Sequence, residues 1–147
     1  MEELPVSRQT FPYQTRILLV EDAPAIREIL KSLLRELGFK SIDEAPNGKE
    51  GYAALCAAKA RGVSYQLVIS DLNMPHVSGL ELLSLVRNNF SWKSLPFIML
   101  TDHRDHTSII GAINAGVSGY VLKPVEKEVL SERLANVWRK QLAAMAS

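Results

Sequence analysis

The sequence has only one cysteine, Cys56, in 147 residues. A single cysteine excludes an internal disulfide framework and a zinc site built from cysteines alone. No apolar run approaches the roughly 18 residues that a membrane span requires. The first residues, MEELPVSRQTFPYQ, are acidic, are interrupted by proline and lack the apolar core of a signal peptide. We therefore expect a soluble, cytoplasmic protein in a reducing compartment, with no membrane partner.

An excess of charge of either sign is also missing. The chain has 17 basic and 16 acidic residues, which give a formal net charge of +1. This balance argues against general binding to nucleic acid or to membrane surfaces. The apolar content of 47% is enough for the core of one domain of ordinary size. We predict an N-terminal extension over residues 1–14 and a single domain over residues 15–147.

Short apolar runs alternate along the chain with longer segments of helical periodicity. Five strands, each followed by a helix, predict an α/β fold whose parallel sheet is covered on both faces through right-handed crossovers. The predicted strands are residues 16–20, 41–45, 66–70, 96–100 and 119–122. The predicted helices lie between Pro24 and Gly38, over 48–60, over 78–88, around Ile110, Ile113 and Val117, and over about 126–144.

Two of these helices carry predictions about burial. In the second helix, Cys56 lies among alanines, and we expect it to be a small buried hydrophobic residue. The first helix has six apolar residues whose spacing predicts one stripe at 3.6 residues per turn. They are Ile26, Ile29, Leu30, Leu33, Leu34 and Leu37.

Polar residues stand at the carboxyl ends of four of the five predicted strands. The second strand breaks this pattern, because Glu44 precedes its end. In open α/β sheets, binding sites form beyond the carboxyl ends of the strands. We therefore expect three carboxylates, a hydroxyl and an ammonium to converge at one edge of the sheet. They belong to Glu21 and Asp22, Asp71, Thr101, and Lys123, which Pro124 follows.

Each of these residues also has an ordinary alternative role. Asp22 and Asp71 are candidates for helix caps or loop acids. Thr101 could cap the next helix, and Lys123 could be a solvated surface lysine. As a set they indicate a site, because three carboxylates that pack together repel one another unless a cation holds them. Oxygen ligands favour a hard cation, which we predict to be Mg²⁺, and the ammonium and hydroxyl then suit a phosphate group.

These motifs resemble the receiver domain of two-component response regulators, in particular the single-domain type related to chemotaxis regulators. The resemblance implies a flavodoxin-like fold of five βα units with the strand order 2-1-3-4-5. It would make Asp22 and Asp71 neighbours. It rests on the pair Glu21-Asp22, the stretch DLNMP that contains Asp71, Thr101, the pair Lys123-Pro124, and the segment EAPNGKE.

The resemblance also implies a chemical role for the acidic residues. Asp71 would accept a phosphoryl group from the phosphohistidine of a histidine kinase or a histidine phosphotransfer protein. Mg²⁺ would be held by Asp22, by Asp71 and by the backbone carbonyl of Asn73, and Glu21 would act mostly through water. The chain would not be an enzyme beyond its own Mg²⁺-dependent phosphorylation and dephosphorylation.

By the same resemblance, phosphorylation would operate a switch. Lys123 and Thr101 would hold the phosphoryl oxygens, and Thr101 would move toward them. Tyr120 would then turn inward; its ordinary alternative is a core or edge aromatic. The resulting population shift would change a face made of the fourth helix, the fifth strand and the fifth helix, which would bind a downstream protein. The bond between Lys123 and Pro124 is expected to be cis, and the protein a monomer or weak dimer.

Some positions next to these motifs carry separate expectations. Asp102 follows Thr101 where the family commonly has a small residue, and we expect it to alter the lifetime of the phosphorylated state. His103 and His106 come next, but they do not favour a transition-metal site, because no third ligand is near them in the sequence. Pro75, the last residue of DLNMP, is expected to end the strand and shape the loop.

Other functions fit these residues less well. A haloacid-dehalogenase-type phosphatase would need a second aspartate two residues after Asp71, where Asn73 stands. A flavodoxin would need a loop rich in hydroxyl groups and glycine in place of VEDAPAI. No helix-turn-helix or basic patch follows the fifth helix, so no direct nucleic-acid partner is expected. Two alternatives stay open: a receiver excised from a hybrid kinase or longer regulator, and a pseudo-receiver that binds partners without phosphorylation.

Overall fold

A computed structural model describes residues 10–74, 76–102 and 106–146. Five parallel strands form one sheet in the order β2-β1-β3-β4-β5, which confirms the predicted fold class and strand order. The strands are β1 (Arg16–Val20), β2 (Ser41–Ala45), β3 (Leu67–Asp71), β4 (Phe97–Thr101) and β5 (Gly119–Leu122). Two of them, β3 and β4, end one residue later than the apolar runs predict, so Asp71 and Thr101 are themselves the last residues of their strands.

In the part of the chain that the structure describes, an α-helix follows each of the five strands. Local signals in the sequence explain several of their ends: Asn47 and Ser78 accept hydrogen bonds from the backbone N–H groups three residues on, as N-caps do. Gly38, just after the first helix, adopts φ +106°, which favours glycine. The helices are α1 (Pro24–Glu36), α2 (Gly48–Ala60), α3 (Gly79–Asn88), α4 (His106–Asn114) and α5 (Lys127–Ala146), and a short 3-10 helix covers Phe90–Trp92.

The three central strands of the sheet are buried on both faces. Alternate residues of β1 belong to different cores: Leu18 and Val20 pack on one side, and Ile17 and Leu19 on the other. The first core is closed by α2, α3 and α4, and the second by α1 and α5. Both faces of the central strands are therefore dry, and polar groups can meet only at the strand ends.

The predicted apolar stripe of α1 is wider than the face that is buried. Leu30 and Leu34 are buried, but Ile26 is 40% and Ile29 is 60% exposed. Ile29 is turned roughly 100° from Leu30 around the helix axis, so the same rotation cannot bring both against the sheet. In α4, similarly, Ile110 is 59% exposed, since this helix turns its small Ala112 inward.

The predicted burial of Cys56 is wrong, because its side chain is exposed. Leu55 and Ala58, three residues apart on α2, face the core instead. Val117 of the fourth predicted helix also lies beyond the observed end of α4. Apolar periodicity locates these helices but does not fix which of several small or apolar residues meets the sheet.

Part of the predicted N-terminal extension packs on the domain. Phe11 is only 3% exposed, and its ring centroid lies 5.0 Å from that of Trp138 in α5. The backbone N–H of Thr15 donates to the carbonyl of Pro12 at 2.9 Å and turns the chain into β1. Among the described residues, no helix has the length and apolarity to cross a bilayer.

Candidate functional site

Three carboxylates meet at the carboxyl edge of the sheet, between β1 and β3. Glu21 and Asp22 follow β1, and Asp71 ends β3. Val20 pairs in register with Ser70, so the next residue of each strand, Glu21 and Asp71, come side by side. One oxygen of each of the three carboxylates lies within 4.8 Å of the others. The structure thus brings these three acids, singled out in the sequence, into one cluster.

The three acids differ in their exposure. Glu21 is completely buried and Asp71 is 4% exposed, whereas Asp22 is exposed to solvent. The carboxylate of Glu21 also bends back toward its own chain, where its Oε2 accepts a hydrogen bond of 2.9 Å from the N–H of Asp22. Asp22 and Asp71 therefore present the open side of the cluster, and Glu21 forms its floor.

Lys123 reaches this cluster from the other side of β4. Its Nζ lies 2.6 Å from Oδ1 of Asp71 and 3.4 Å from Oε1 of Glu21. Its backbone N–H donates to the carbonyl of Thr101 at 2.8 Å, which fixes where the side chain starts. The Lys123–Pro124 peptide bond is cis. The long side chain allows the ammonium of a lysine that follows β5 to reach an acid at the end of β3.

Burial and charge control the proton affinity of this cluster. The pKa of Glu21 is raised from 4.5 to about 7, first because burial penalises the charged carboxylate and then because Asp71 is negative. Burial alone would lower the pKa of Lys123, but its hydrogen bond to Asp71 and the charges of Asp71 and Glu21 raise it. Lys123 therefore stays charged near neutral pH, whereas Glu21 is close to its midpoint in the protein without a cation.

Thr101 and Asp102 lie at the end of β4, between the strands that carry Asp71 and Lys123. Thr101 is 1% exposed, and its Oγ1 lies 3.4 Å from the backbone carbonyl oxygen of Asp102. Asp102 is half-buried. His103 lies outside the described residues, and His106 is the first residue of α4. The Thr101 hydroxyl is thus placed at the edge where the acids and the lysine meet.

The loop after Asp71 is held close to the sheet. Leu72 donates from its N–H to the carbonyl of Leu100, and Gly79 donates to the carbonyl of Leu72, both at 2.9 Å. Gly79 has no room for a side chain: an added Cβ would collide with the carbonyl oxygen of Asp71. Asn73 is exposed in this loop, two residues after Asp71, and Pro75 lies outside the described residues.

Tyr120 lies outside the acidic cluster, on β5. Its side chain is half-buried, and the guanidinium carbon of Arg133 lies 5.8 Å from the centroid of its ring. The same region contains a groove of about 380 Å³, lined in part by Tyr120, Lys123, Val129 and Arg133. The structure therefore connects Tyr120 to the surface between β5 and α5.

Two further residues belong to the site but are not among the sequence-based candidates. Arg27 of α1 donates from Nη1 to the backbone carbonyl of Glu21 at 2.7 Å. Its Nε donates to Oε1 of Glu44 at 3.1 Å. The signal that could have pointed to this pair is Glu44, the acidic residue that breaks the strand-end pattern on β2.

The donor set of the cluster suits Mg²⁺. All three side chains offer carboxylate oxygens, which hard cations prefer, and the exposure of Asp22 leaves room for water ligands. After burial, the negative charge of Asp71 is the next cause of the raised pKa of Glu21, and Lys123 lowers this pKa only in part. A divalent cation would relieve that repulsion.

A cavity of about 460 Å³ lies at the opposite edge of the sheet, beside residues that precede β1, β3 and β4. Its lining includes Phe11, Trp92 and Trp138 and none of the clustered acids. Size alone would favour this cavity as a site, but the convergence of three acids and an ammonium occurs at the carboxyl edge. We therefore assign the site by its chemistry rather than by volume.

Comparison with known proteins shows which family this sequence matches. A family model described as the response regulator receiver domain matches residues 17–135. The chain is 36% identical over 125 residues to the chemotaxis protein CheY of Pseudomonas aeruginosa, and this match covers 85% of the chain and 97% of that protein. The similarity thus extends over nearly the whole described domain.

Solved structures give the same result. The chemotaxis protein CheY4 of Vibrio cholerae superposes with a TM-score of 0.73 at 29% identity, over 84% of this chain and 98% of that one. The receiver domain of a sensor histidine kinase from Pseudomonas aeruginosa superposes with a TM-score of 0.69 at 25% identity, over 85% and 97%. That receiver domain has a magnesium ion coordinated in its active-site cleft.

Proposed function

This chain belongs to the response regulator receiver family, and from that premise we propose that it is a signalling switch whose Asp71 accepts a phosphoryl group. One observation carries the proposal: Asp71 is at once a member of the acidic cluster and 2.6 Å from the Lys123 ammonium. A carboxylate held between a cation site and an ammonium is suited to attack an anionic phosphoryl group. Receiver domains are signalling proteins rather than classical enzymes.

The proposed donor is the phosphohistidine of a histidine kinase or of a histidine phosphotransfer protein. A bond forms between a carboxylate oxygen of Asp71 and phosphorus as the phosphorus–nitrogen bond breaks, and the released imidazole takes up a proton. Mg²⁺, when bound, offsets the repulsion between the two anions during this transfer. Asp22, Asp71 and the backbone carbonyl of Asn73 would hold it, with Glu21 acting mostly through water.

The other residues of the site would then stabilise the product. Lys123 already contacts Asp71, so its ammonium needs to move little to bind an oxygen of the transferred group. The Thr101 hydroxyl would exchange its 3.4 Å contact with the carbonyl of Asp102 for a hydrogen bond to the phosphoryl group. Asp102, beside it, would alter how long the phosphorylated state lasts.

We propose that the signal leaves through the face formed by α4, β5 and α5. Movement of Thr101 would free space for Tyr120 to turn inward, which shifts a pre-existing equilibrium between two conformations. Ile110, Ile113 and Val129 are more than 40% exposed on α4 and α5 and offer apolar contacts to a downstream protein. In this proposal, residues 15–147 are the receiver, residues 1–14 an extension, and the protein acts as a monomer or weak dimer.

The test is phosphorylation by a small acyl phosphate in the presence of Mg²⁺, followed by intact mass measurement. We expect wild-type protein to gain one phosphoryl group and the Asp71→Asn variant, which keeps the size of the side chain, to gain none. Omission of Mg²⁺ should abolish the adduct on wild type. An adduct on both proteins would exclude Asp71 as the acceptor, and an adduct on neither would favour a pseudo-receiver.

A further inference from the structure

Arg27 connects the acidic cluster to strand β2. Its guanidinium donates from Nη1 to the backbone carbonyl of Glu21 at 2.7 Å and from Nε to Glu44 at 3.1 Å. Glu44 is fixed in turn by the pairing of β2 with β1, in which it lies opposite Leu19. Arg27 is therefore held between the loop that follows β1 and the end of β2.

This contact completes the restraint of the Glu21 backbone. The N–H of Glu21 donates to the carbonyl of Ala45, at the end of β2, at 3.1 Å. The carbonyl of Glu21 accepts from Arg27. Both backbone polar groups of Glu21 are thus tied to neighbouring elements, and Asp22, the next residue, is the exposed carboxylate of the cluster.

We propose that Arg27 is a positioning residue of the cation site, an inference that rests on the proposed role of Mg²⁺. Arg27 touches no carboxylate of the cluster. By holding the Glu21 peptide, it keeps the carboxylates of Glu21 and Asp22 in the arrangement in which they converge with Asp71. A planar guanidinium can serve a carbonyl and a carboxylate at the same time, which a lysine ammonium does less well.

Removal of Arg27 would change Mg²⁺ affinity in opposite directions, depending on whether Arg27 acts through its charge or by positioning the ligands. Arg27 is a positive group near three carboxylates, so simple electrostatics predicts that its loss would strengthen the binding of a divalent cation. Loss of a residue that orients metal ligands weakens binding instead, typically by about 10-fold to 100-fold. The direction of the change therefore separates the two roles.

The experiment is calorimetric titration of the full chain with MgCl₂, without a phosphoryl donor. We expect Arg27→Ala to weaken Mg²⁺ binding by about tenfold, which is the lower end of the range for residues that support metal ligands. Lys31→Ala is the matched control, because Lys31 also contacts Glu44 but makes no contact with the Glu21 carbonyl. It should bind Mg²⁺ no more weakly than wild type. Circular dichroism checks that each variant is folded, and Arg27→Lys provides a milder change if Arg27→Ala unfolds.

A second measurement tests whether Glu44 affects Mg²⁺ binding through its contact with Arg27. Glu44→Ala removes the outer anchor of Arg27, so it should weaken Mg²⁺ binding, and the Arg27→Ala/Glu44→Ala double variant should bind no more weakly than Arg27→Ala alone. The amide resonance of Asp22 should shift in all three variants and not in Lys31→Ala. Equal or tighter Mg²⁺ binding by Arg27→Ala, or an equal loss in Lys31→Ala, would overturn the inference.

Failure of this inference can be told from failure of the proposed function. Wild type that takes up a phosphoryl group, together with an Arg27→Ala variant whose Mg²⁺ affinity is unchanged, overturns only the role of Arg27. Wild type that binds Mg²⁺ more tightly than Arg27→Ala, yet takes up no phosphoryl group, supports the role of Arg27 and overturns the proposed acceptor function.

Discussion

The ammonium of Lys123 lies 2.6 Å from Oδ1 of Asp71, although the strands that position the two residues are separated by β4. In the protein without a cation, this contact offsets part of the negative charge that Glu21, Asp22 and Asp71 bring together. In phosphoryl transfer, the same ammonium would face the incoming group. We therefore expect Lys123 to have opposite effects on cation binding and on phosphoryl transfer.

We predict that Lys123→Met tightens Mg²⁺ binding but slows phosphorylation of Asp71 at saturating Mg²⁺ by on the order of a hundredfold. Binding tightens because a competing positive charge is lost. Transfer slows because a group aimed at the developing charge is missing, and single stabilising groups of this kind contribute about 10²–10³ in rate. Calorimetry gives the first quantity, and the time course of intact mass gives the second.

The control for Lys123 is Lys127→Met, which changes the first residue of α5, a lysine whose Nζ lies 3.9 Å from Oε2 of Glu36. Its loss should leave both quantities at the wild-type value. A similar slowing in both variants would mean that general positive charge, rather than the contact with Asp71, assists transfer.

The raised pKa of Glu21 predicts that stability depends on pH in the absence of a cation. The folded protein keeps the Glu21 proton up to about pH 7, whereas the unfolded chain releases it near the ordinary value of 4.5. The folded state binds more protons between these values, so the free energy of unfolding falls as pH rises from about 4.5 to 7. Urea unfolding in a chelator at several pH values measures this slope.

Glu21→Gln should reduce that slope and stabilise the metal-free protein above pH 7, because the buried side chain can no longer become charged. Added Mg²⁺ should stabilise wild type most at high pH, where Glu21 has lost its proton. A wild-type slope that persists unchanged in Glu21→Gln would assign the pH dependence to another group.

Gly79 is expected to be indispensable to the loop that follows Asp71. An added Cβ would collide with the Asp71 carbonyl oxygen and lie 2.9 Å from the Cα of Leu72, and neither backbone atom can move without shifting the end of β3. We predict that Gly79→Ala lowers the free energy of unfolding by about 1–3 kcal/mol, as forced overpacking does. It should also weaken Mg²⁺ binding, because Asp71 and Asn73 shift with the loop.

Gly111→Ala is the matched control for this change. A Cβ at this position in α4 would meet only the flexible end of Leu80, at 3.3 Å, and alanine favours a helix. Urea unfolding should show little loss in Gly111→Ala. Equal destabilisation of the two variants would contradict the special role of the close approach at Gly79.

The lifetime of the phosphorylated state should depend on the charge of Asp102. A carboxylate beside Thr101 can accept a hydrogen bond from a water molecule that attacks the phosphoryl group. We predict that Asp102→Ala and Asp102→Asn both lengthen the lifetime, measured as loss of the adduct mass after the donor is removed. An unchanged rate in both variants, or a faster loss, would exclude this role.

The sequence alone was sufficient to predict the positions of the strands, and with them the residues that stand at the strand ends. Asp71 and Thr101 end apolar runs, and the ends of parallel strands share one edge, so their approximate place follows from the pattern alone. The role of Arg27 does not follow, because its partner Glu44 is distant in sequence and only the register of β1 with β2 brings them together. The sequence pattern also could not predict that Ile29 and Cys56 are exposed, since exposure depends on how each helix is rotated against the sheet.

Arg133 is predicted to hold Tyr120 in the conformation of the unphosphorylated state. Its guanidinium carbon lies 5.8 Å from the ring centroid, a cation–π contact of a kind that contributes about 0.5–1 kcal/mol at exposed sites. If Tyr120 turns inward when the switch operates, that contact is lost, so Arg133→Ala should raise the inward population without phosphorylation by roughly two-fold to five-fold. Fluorine NMR of protein labelled with fluorotyrosine, with the Tyr120 signal assigned by Tyr120→Phe, reports this population. Arg139→Ala, further along α5, is the control, and an equal response in both variants would show that Arg133 exerts no hold on Tyr120.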